Sequence, residues 1–169
     1  MQWKKIEPEQ FNRSTFDMIG NQWTLITAQK PDGTVNTMTA SWGGMGILWR
    51  KNVVFVFIRP QRYTKEFVDQ AGKFTLTFFD EKYKKELSYL GSVSGRDENK
   101  IAKANLTVEQ LDQAPVFEQA NTAIICRTLY TQTIDPAQFK VPEMDERWYA
   151  EKDYHTVYVA EIEGLYVKE

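Results

Sequence analysis

The 169-residue chain has the length of one domain and a composition, 42% hydrophobic and 14% aromatic, typical of a globular protein with a substantial core. Its formal net charge of -2 excludes a strongly basic surface, so we expect neither nucleic acid nor a membrane as a partner. The single cysteine, Cys126, excludes an internal disulfide and a multi-cysteine metal site, and without a signal-peptide or transmembrane pattern we expect one cytoplasmic domain over residues 1–169.

Residues 21–42 are predicted to form a hairpin, after an N-terminal segment of mixed pattern in which only a short helix near Pro8 is indicated. The strand-like residues 21–29 lead into the turn Pro31-Asp32-Gly33. Proline presets one backbone dihedral of such a turn, and glycine accepts a positive φ. The second strand of the hairpin is predicted over Val35–Trp42.

Glycines and a proline divide the next part of the chain. Residues 43–46 are predicted to be a glycine-rich bend, followed by a buried strand over Val53–Ile58. Pro60 stops that strand. A helix is predicted over Lys65–Ala71, with Thr64 as its N-cap and a glycine at its end.

The second half of the chain alternates predicted strands with less regular segments. Strands are predicted at residues 74–79, 122–131 and 156–167, and short helices after Asp80 and before Ala102. Residues 109–118 are predicted to be irregular, and residues 134–152 to be an acidic, proline-containing connection. Because strands predominate, we predict a mainly β fold, a β-barrel with short inserted helices, rather than a doubly wound sheet.

Polar side chains cluster at the ends of two predicted strands. The first cluster, Thr39-Ala40-Ser41-Trp42, has small side chains that would let a flat ring approach the main chain. The second, Arg59–Thr64, offers guanidinium groups, which bind phosphate well, at the predicted start of a helix. A polar loop supplies three further donors, Ser94, Arg96 and Lys100.

These clusters occur in order with Phe74–Phe79, with Ser94-Gly95-Arg96-Asp97 and with Asp153-Tyr154-His155 before the last strand. Together, over about residues 35–163, they resemble the flavin reductase-like FMN-binding split-barrel family, and within it the flavoredoxin-like branch. The resemblance implies a Greek-key split barrel with FMN as cofactor. It also implies hydride or electron transfer from a reduced donor, NAD(P)H, to free flavin or a redox partner, and a homodimer.

The resemblance also implies roles for individual residues. His155, the only histidine, would lie near the open face of the flavin and orient the nicotinamide or the substrate. No metal site is expected. The FMN-binding residues would be Asn36, Met38, Thr39, Ala40, Ser41, Trp42, Arg59, Gln61, Arg62, Tyr63, Thr64, Ser94, Gly95, Arg96 and Lys100.

Plainer interpretations of the same residues stay open. Thr39–Trp42 also fits the end of a core strand, and Arg59 and Arg62 also fit solvated arginines after a strand. A nucleophilic pair of Cys126 and His155 is a further alternative. For the whole chain, the alternatives are a flavoredoxin-like electron carrier and a non-catalytic β-barrel that binds a small ligand.

Overall fold

The structure, a computed structural model, describes residues 2–169, and antiparallel strands are its most abundant regular element. Within these residues ten strands occur: β1 (Trp3–Ile6), β2 (Thr24–Gln29), β3 (Val35–Ala40), β4 (Gly43–Leu48), β5 (Lys51–Ile58), β6 (Lys73–Phe78), β7 (Val108–Leu111), β8 (Ala114–Phe117), β9 (Thr122–Thr133) and β10 (Thr156–Lys168). The α-helices are α1 (Thr15–Asp17), α2 (Tyr63–Ala71), α3 (Lys84–Ser92), α4 (Lys100–Lys103) and α5 (Pro142–Trp148). Short 3₁₀ turns occur at Pro8–Gln10, Glu81–Tyr83 and Pro136–Gln138, and a π-helical turn at Met18–Gln22.

The strands form one large antiparallel sheet in the order β3-β2-β6-β9-β10-β5-β4. The long strand β10 organises it, because β10 pairs with β9 along its length, with β5 through its first half and with β1 through its second half. Strands β7 and β8 form a separate hairpin. The structure thus confirms the predicted mainly β fold with short inserted helices.

Side chains on opposite faces of the strands belong to different hydrophobic clusters. Ile26 on β2 belongs to the main cluster, with Phe74, Tyr158 and Phe67 of α2, each 2% exposed or less. Its neighbour Leu25 faces the other way and packs with α3 and the β7–β8 hairpin. This alternation is the period of two that places successive strand residues on opposite faces of a sheet.

The predicted bend at residues 43–46 is wrong, because these residues begin strand β4, an edge strand paired with β5. The reversal instead occurs at Trp49 and Arg50, whose φ angles of 51° and 57° form a two-residue hairpin turn. Glycine is nevertheless needed at position 43. A Cβ there would lie 2.7 Å from the carbonyl oxygen of Phe55 across the pair.

Two further segments are more regular than predicted. Residues 109–118 form most of the β7–β8 hairpin, which turns at Asp112 and Gln113 with φ angles of 46° and 62°. Residues 134–152 contain α5 and a 3₁₀ turn, at whose start the Asp135 carboxylate accepts a hydrogen bond from the Ala137 N–H at 2.9 Å.

The helix after β5 begins earlier than predicted. Arg62, and not Thr64, occupies the N-cap position of α2, and Thr64 lies inside the helix. Gly72 ends α2 in the left-handed conformation, with φ 64°, as predicted. No helix among residues 2–169 has the length and apolar character needed to cross a membrane.

Candidate functional site

The ends of β3 and β5 meet at an open pocket with a volume of about 360 Å³, which lies in the range of small-molecule sites. Nine of the predicted site residues line it: Met38, Thr39, Ala40, Ser41, Trp42, Arg59, Gln61, Arg62 and His155. Phe57 of β5 also lines the pocket and was not predicted. The two polar clusters found in the sequence therefore share one cavity.

Hydrogen bonds fix the main chain at the end of β3. The Thr39 hydroxyl donates to the Leu87 carbonyl of α3 at 2.5 Å, and Arg62 donates to the Thr39 carbonyl at 3.5 Å. Trp42 follows with its ring 44% exposed and edge-on to Trp148, the ring centroids being 5.1 Å apart. The pocket therefore combines a fixed main-chain wall with two aromatic rings at its mouth.

Arg62 and Lys100 are cations held in the protein by carbonyl groups. Arg62 donates to the Gly91 carbonyl at 3.0 Å, in addition to its contact with β3. The Lys100 ammonium donates to the carbonyls of Leu90 and Val93 at 2.9 and 3.0 Å, and Lys100 is only 3% exposed. Over residues 2–169, neither cation has a carboxylate within salt-bridge distance.

The pKa values of these two cations reflect their unpaired state. Burial, reinforced by the charge of Arg62, lowers the pKa of Lys100 to about 8. Burial and the charge of Arg59 lower the pKa of Arg62. A buried and a half-buried like charge without a counter-ion are unfavourable, and a bound anion would stabilise both. The arrangement fits a phosphate group.

Arg59 has a different environment. Its guanidinium forms a salt bridge of 2.8 Å with Asp153 and donates to the Trp148 carbonyl at 3.0 Å. It also lies 5.0 Å from the centroid of the Tyr149 ring, and Gln61 donates to the same Asp153 carboxylate at 2.8 Å. Because Asp153 neutralises its charge, Arg59 is placed to hold residues 148–153 against the barrel.

A second group of predicted residues lies beside the pocket and does not line it. Asn36 donates to the Thr64 hydroxyl at 2.9 Å, with both residues buried. Gly95 packs on Asn36, since a Cβ at Gly95 would lie 2.2 Å from the Asn36 side-chain oxygen. The Arg96 guanidinium lies 4.5 Å from the Tyr63 ring centroid.

The polar atoms of this group are used mainly within the group. Arg96 donates to the Gln61 carbonyl at 3.2 Å and to the Glu66 carboxylate at 2.5 Å. The Ser94 hydroxyl accepts from the Arg96 main-chain N–H at 3.1 Å. These contacts join the loop at residues 94–96 to the start of α2. Direct contact of Ser94 and Arg96 with a ligand stays a prediction.

His155 lies at the pocket wall, 7% exposed, between Trp42 and Phe57 at centroid distances of 5.4 and 6.4 Å. Its Nδ1 is 2.7 Å from the Tyr149 hydroxyl. Burial, with the charges of Arg59 and Arg62, lowers the pKa of His155 to about 4, although Asp153 opposes that shift. The imidazole is therefore uncharged at neutral pH.

The comparisons with known proteins agree with this geometry. The family model described as flavin reductase like domain matches residues 16–169. The chain belongs to the flavin reductase-like family. Comparison with curated proteins gives no match.

Solved structures show the same fold at low sequence identity. An FMN-binding domain of a flavin reductases-like enzyme from Shewanella baltica OS155 matches with TM-score 0.70 and 16% identity, covering 98% of this chain and 77% of that one. Flavoredoxin of Desulfovibrio vulgaris (Miyazaki F) matches with TM-score 0.68 and 23% identity, covering 87% and 69%. A putative flavin reductase with a split barrel domain from Shewanella frigidimarina NCIMB 400 matches with TM-score 0.70 and 17% identity, covering 97% and 76%. These likenesses confirm the split-barrel prediction.

In this flavin reductase-like chain, three residues at or behind the pocket were not predicted as site residues: Phe57, Tyr149 and Asp153. The position of Phe57 could have been predicted from the sequence. It alternates with the buried Val56 and Ile58 and so faces the other side of β5. Tyr149 lies in a segment without a motif, and Asp153 belongs to the piece Asp153-Tyr154-His155 but was given no role in the site. Only the fold brings them to Arg59 and His155.

The flavin reductase-like fold does not support a cysteine nucleophile. Cys126 is 0% exposed in the main core, and burial raises the pKa of its thiol. Its sulfur contacts the Ile124 carbonyl at 3.7 Å, and it does not line the pocket beside His155.

A larger cavity of about 420 Å³ lies between the N-terminal segment and the start of α3. The polar side chains that line it bond one another and so serve the structure. Arg13, its most buried cation, donates to side-chain oxygens of Gln22, Asn121 and Thr122 at 2.5–3.2 Å. These bonds tie the N-terminal segment to β9.

Proposed function

We propose that the pocket binds FMN and that the protein is an FMN-dependent oxidoreductase. It would take hydride or electrons from a reduced donor, NAD(P)H, and pass them to free flavin or to a redox partner. One observation supports this proposal above the others. Half-buried Arg62 lines the cavity together with the fixed main chain of residues 39–42, and buried Lys100 bonds the Leu90 carbonyl next to the Gly91 carbonyl that Arg62 bonds. Neither cation has a carboxylate partner in residues 2–169.

The residues present fit the parts of this cofactor. Arg62 and Lys100 would hold the phosphate, because charge-assisted hydrogen bonds from cations suit its oxygens. Main-chain groups of residues 39–42 would bond the pyrimidine edge, with Trp42 beside the ring system. When bound, FMN supplies the acceptance and release of hydride or electrons, so the protein's part is binding, orientation and electrostatics.

The names of two structurally similar proteins support a flavin-based function. The Shewanella baltica protein is called FMN-binding, and the Desulfovibrio vulgaris protein is called a flavoredoxin. The second name keeps an electron carrier as the alternative to a reductase. A nicotinamide donor would enter at the open side, where Trp42 and Trp148 are 44% and 41% exposed.

We also propose a cytoplasmic homodimer. The single buried thiol suits a reducing compartment. A dimer interface would cover part of the large apolar side chains that this chain exposes, such as Ile47 and Trp49. Sedimentation velocity would report twice the chain mass of 19.7 kDa, and a 19.7 kDa species would reject the dimer.

The function is tested with purified protein supplied with FMN. Flavin absorbance retained after gel filtration is expected, with NADH or NADPH oxidation that rises with added free flavin. Retained FMN without flavin-dependent turnover would favour the carrier over the reductase. Absence of FMN binding would reject both.

A further inference from the structure

We infer that Tyr149 is a positioning residue that holds His155 in the tautomer with a protonated Nε2, so that the imidazole offers an N–H donor to the ligand in the pocket. The inference deepens the proposed function, and it rests on that function for the identity of the ligand, FMN or a flat substrate lying on it. No motif indicates Tyr149. The evidence is the geometry around His155.

Tyr149 and His155 share one hydrogen bond between two uncharged groups. The Tyr149 hydroxyl lies 2.7 Å from Nδ1, and the two residues are 6% and 7% exposed. Burial raises the pKa of Tyr149, so the phenol keeps its proton at neutral pH. The imidazole is neutral there because of burial and the nearby Arg59 and Arg62. Either Tyr149 donates to Nδ1, or Nδ1–H donates to Tyr149.

The surroundings favour Tyr149 as the donor. If Nδ1–H donated, the phenolic hydrogen would need another acceptor, and residues 2–169 provide none within hydrogen-bond distance. An unsatisfied buried donor is costly. If Tyr149 donates, both groups are satisfied and the remaining imidazole N–H is at Nε2, on a residue that lines the pocket.

The Tyr149 ring is held in place by neighbours on several sides. The Arg59 guanidinium lies 5.0 Å from its centroid, a cation–π contact that also makes the phenol a better donor. Tyr154 and Phe139 pack on it at centroid distances of 4.8 and 6.1 Å. The salt bridge between Arg59 and Asp153 fixes the chain just beyond it. The hydroxyl is therefore aimed at Nδ1.

The chemical consequence is a neutral hydrogen-bond donor in the pocket. The titratable and charged groups around His155 are Tyr149, Arg59, Arg62 and Asp153. Burial and the two arginines lower the pKa of His155 and keep the ring uncharged at neutral pH, against the opposing charge of Asp153. Such a ring can donate to an oxygen or nitrogen of a flat ligand and so orient it. It is not an acid that delivers a proton at that pH.

Nitrogen NMR tests the tautomer directly, because the chain contains one histidine and a ¹⁵N-histidine label reports a single imidazole. In FMN-free protein at pH 7, we expect an unprotonated Nδ1 and a protonated Nε2. Tyr149→Phe should produce a mixture of tautomers. Tyr154→Phe should leave the spectrum unchanged, since the Tyr154 hydroxyl bonds Asp145 instead. A protonated Nδ1 in the wild type, or an unaltered spectrum in Tyr149→Phe, would overturn the inference.

Turnover separates positioning from folding. With FMN bound, Tyr149→Phe and His155→Leu should keep cofactor affinity but lower turnover about tenfold, the scale of one hydrogen bond. His155→Gln keeps an N–H donor and should recover part of the rate. Equal losses in His155→Gln and His155→Leu would contradict a donor role. A wild type that binds no FMN would reject the proposed function, while the NMR result would still decide the tautomer.

Discussion

Lys100 is the residue through which ligand binding should depend on pH. Its charge is stabilised only by the dipoles of the Leu90 and Val93 carbonyls, and Arg62 repels it. A phosphate beside it would favour the charged form and raise its pKa above the value of about 8 in the free protein. Ligand binding and protonation of Lys100 are therefore linked.

The linkage predicts how FMN affinity depends on pH. At pH 7 most Lys100 side chains are already charged, so affinity should change little near that pH. Above pH 8 the free protein loses this proton, and affinity should fall as binding comes to require its uptake. The measurement is the FMN dissociation constant from flavin fluorescence at pH 7–9.5, a range in which the FMN phosphate is fully ionised.

Two lysine variants on α4 give the matched comparison. Lys100→Met should weaken FMN binding by about 10- to 100-fold at pH 7, as expected for lost hydrogen bonds to a charged group, and should abolish the pH dependence. Lys103→Met should change neither, because Lys103 is exposed and paired with Glu98. An affinity that is flat up to pH 9.5 in the wild type would remove Lys100 from the phosphate site.

At the scale of residues, the site residues could be predicted from their position relative to the ends of strands. Residues 39–42 and Arg62 could be predicted as neighbours because both follow strands, and the structure places them in one pocket. The state of Arg59 could not be predicted. Its partners Asp153 and Trp148 are 94 and 89 residues away in the chain, and no local pattern records such contacts.

Among the elements, β4 shows how tertiary pairing overrides local preference. Three glycines in four residues favour a bend, yet pairing with β5 makes residues 43–48 a strand. The true turns, Trp49-Arg50 and Asp112-Gln113, contain neither glycine nor asparagine although both residues of each have positive φ. Hairpin turns of this kind usually carry those residues, so neither turn has a strong local signal in the sequence.

The close approach of β4 to β5 makes a prediction about its glycines. Gly43→Ala would place a Cβ 2.7 Å from the Phe55 carbonyl, at a φ of 152° that side chains rarely adopt. We expect a loss of about 1–3 kcal/mol in the free energy of unfolding, measured by urea denaturation. Gly46→Ala is the control in the same strand, since no atom lies within 4 Å of its added Cβ. Equal stability of the two variants would show that the Gly43 contact relaxes without cost.

In the whole molecule, strand register assembles the site from distant parts of the chain. The pairing of Thr156 with Ile58 between β10 and β5 places His155 next to Arg59, where both strands meet the pocket. The sequence predicted both strands and both residues, but it could not supply the register. The segment between β9 and β10 then folds over Arg59 and brings Tyr149 to His155.

Arg59 should accordingly act as a structural anchor for this segment more than as a cofactor ligand. Arg59→Met removes the Asp153 salt bridge and leaves a partly buried carboxylate, which we expect to lower the free energy of unfolding by about 1–3 kcal/mol. Amide hydrogen exchange should accelerate in residues 145–155. FMN affinity should fall less than in Arg62→Met, because Arg62 has no carboxylate partner in residues 2–169.

Lys51→Met, at the opposite end of β5 from Arg59, is the matched control. Lys51 pairs with Glu161 at 2.8 Å, but its side chain is 43% exposed and Arg127 also bonds Glu161. Its loss should therefore cost less than about 1 kcal/mol and leave exchange in residues 145–155 unchanged. If Arg59→Met instead lost FMN as strongly as Arg62→Met with that segment still protected, Arg59 would have to contact the cofactor directly. The Asp153 salt bridge would then have to open when FMN binds.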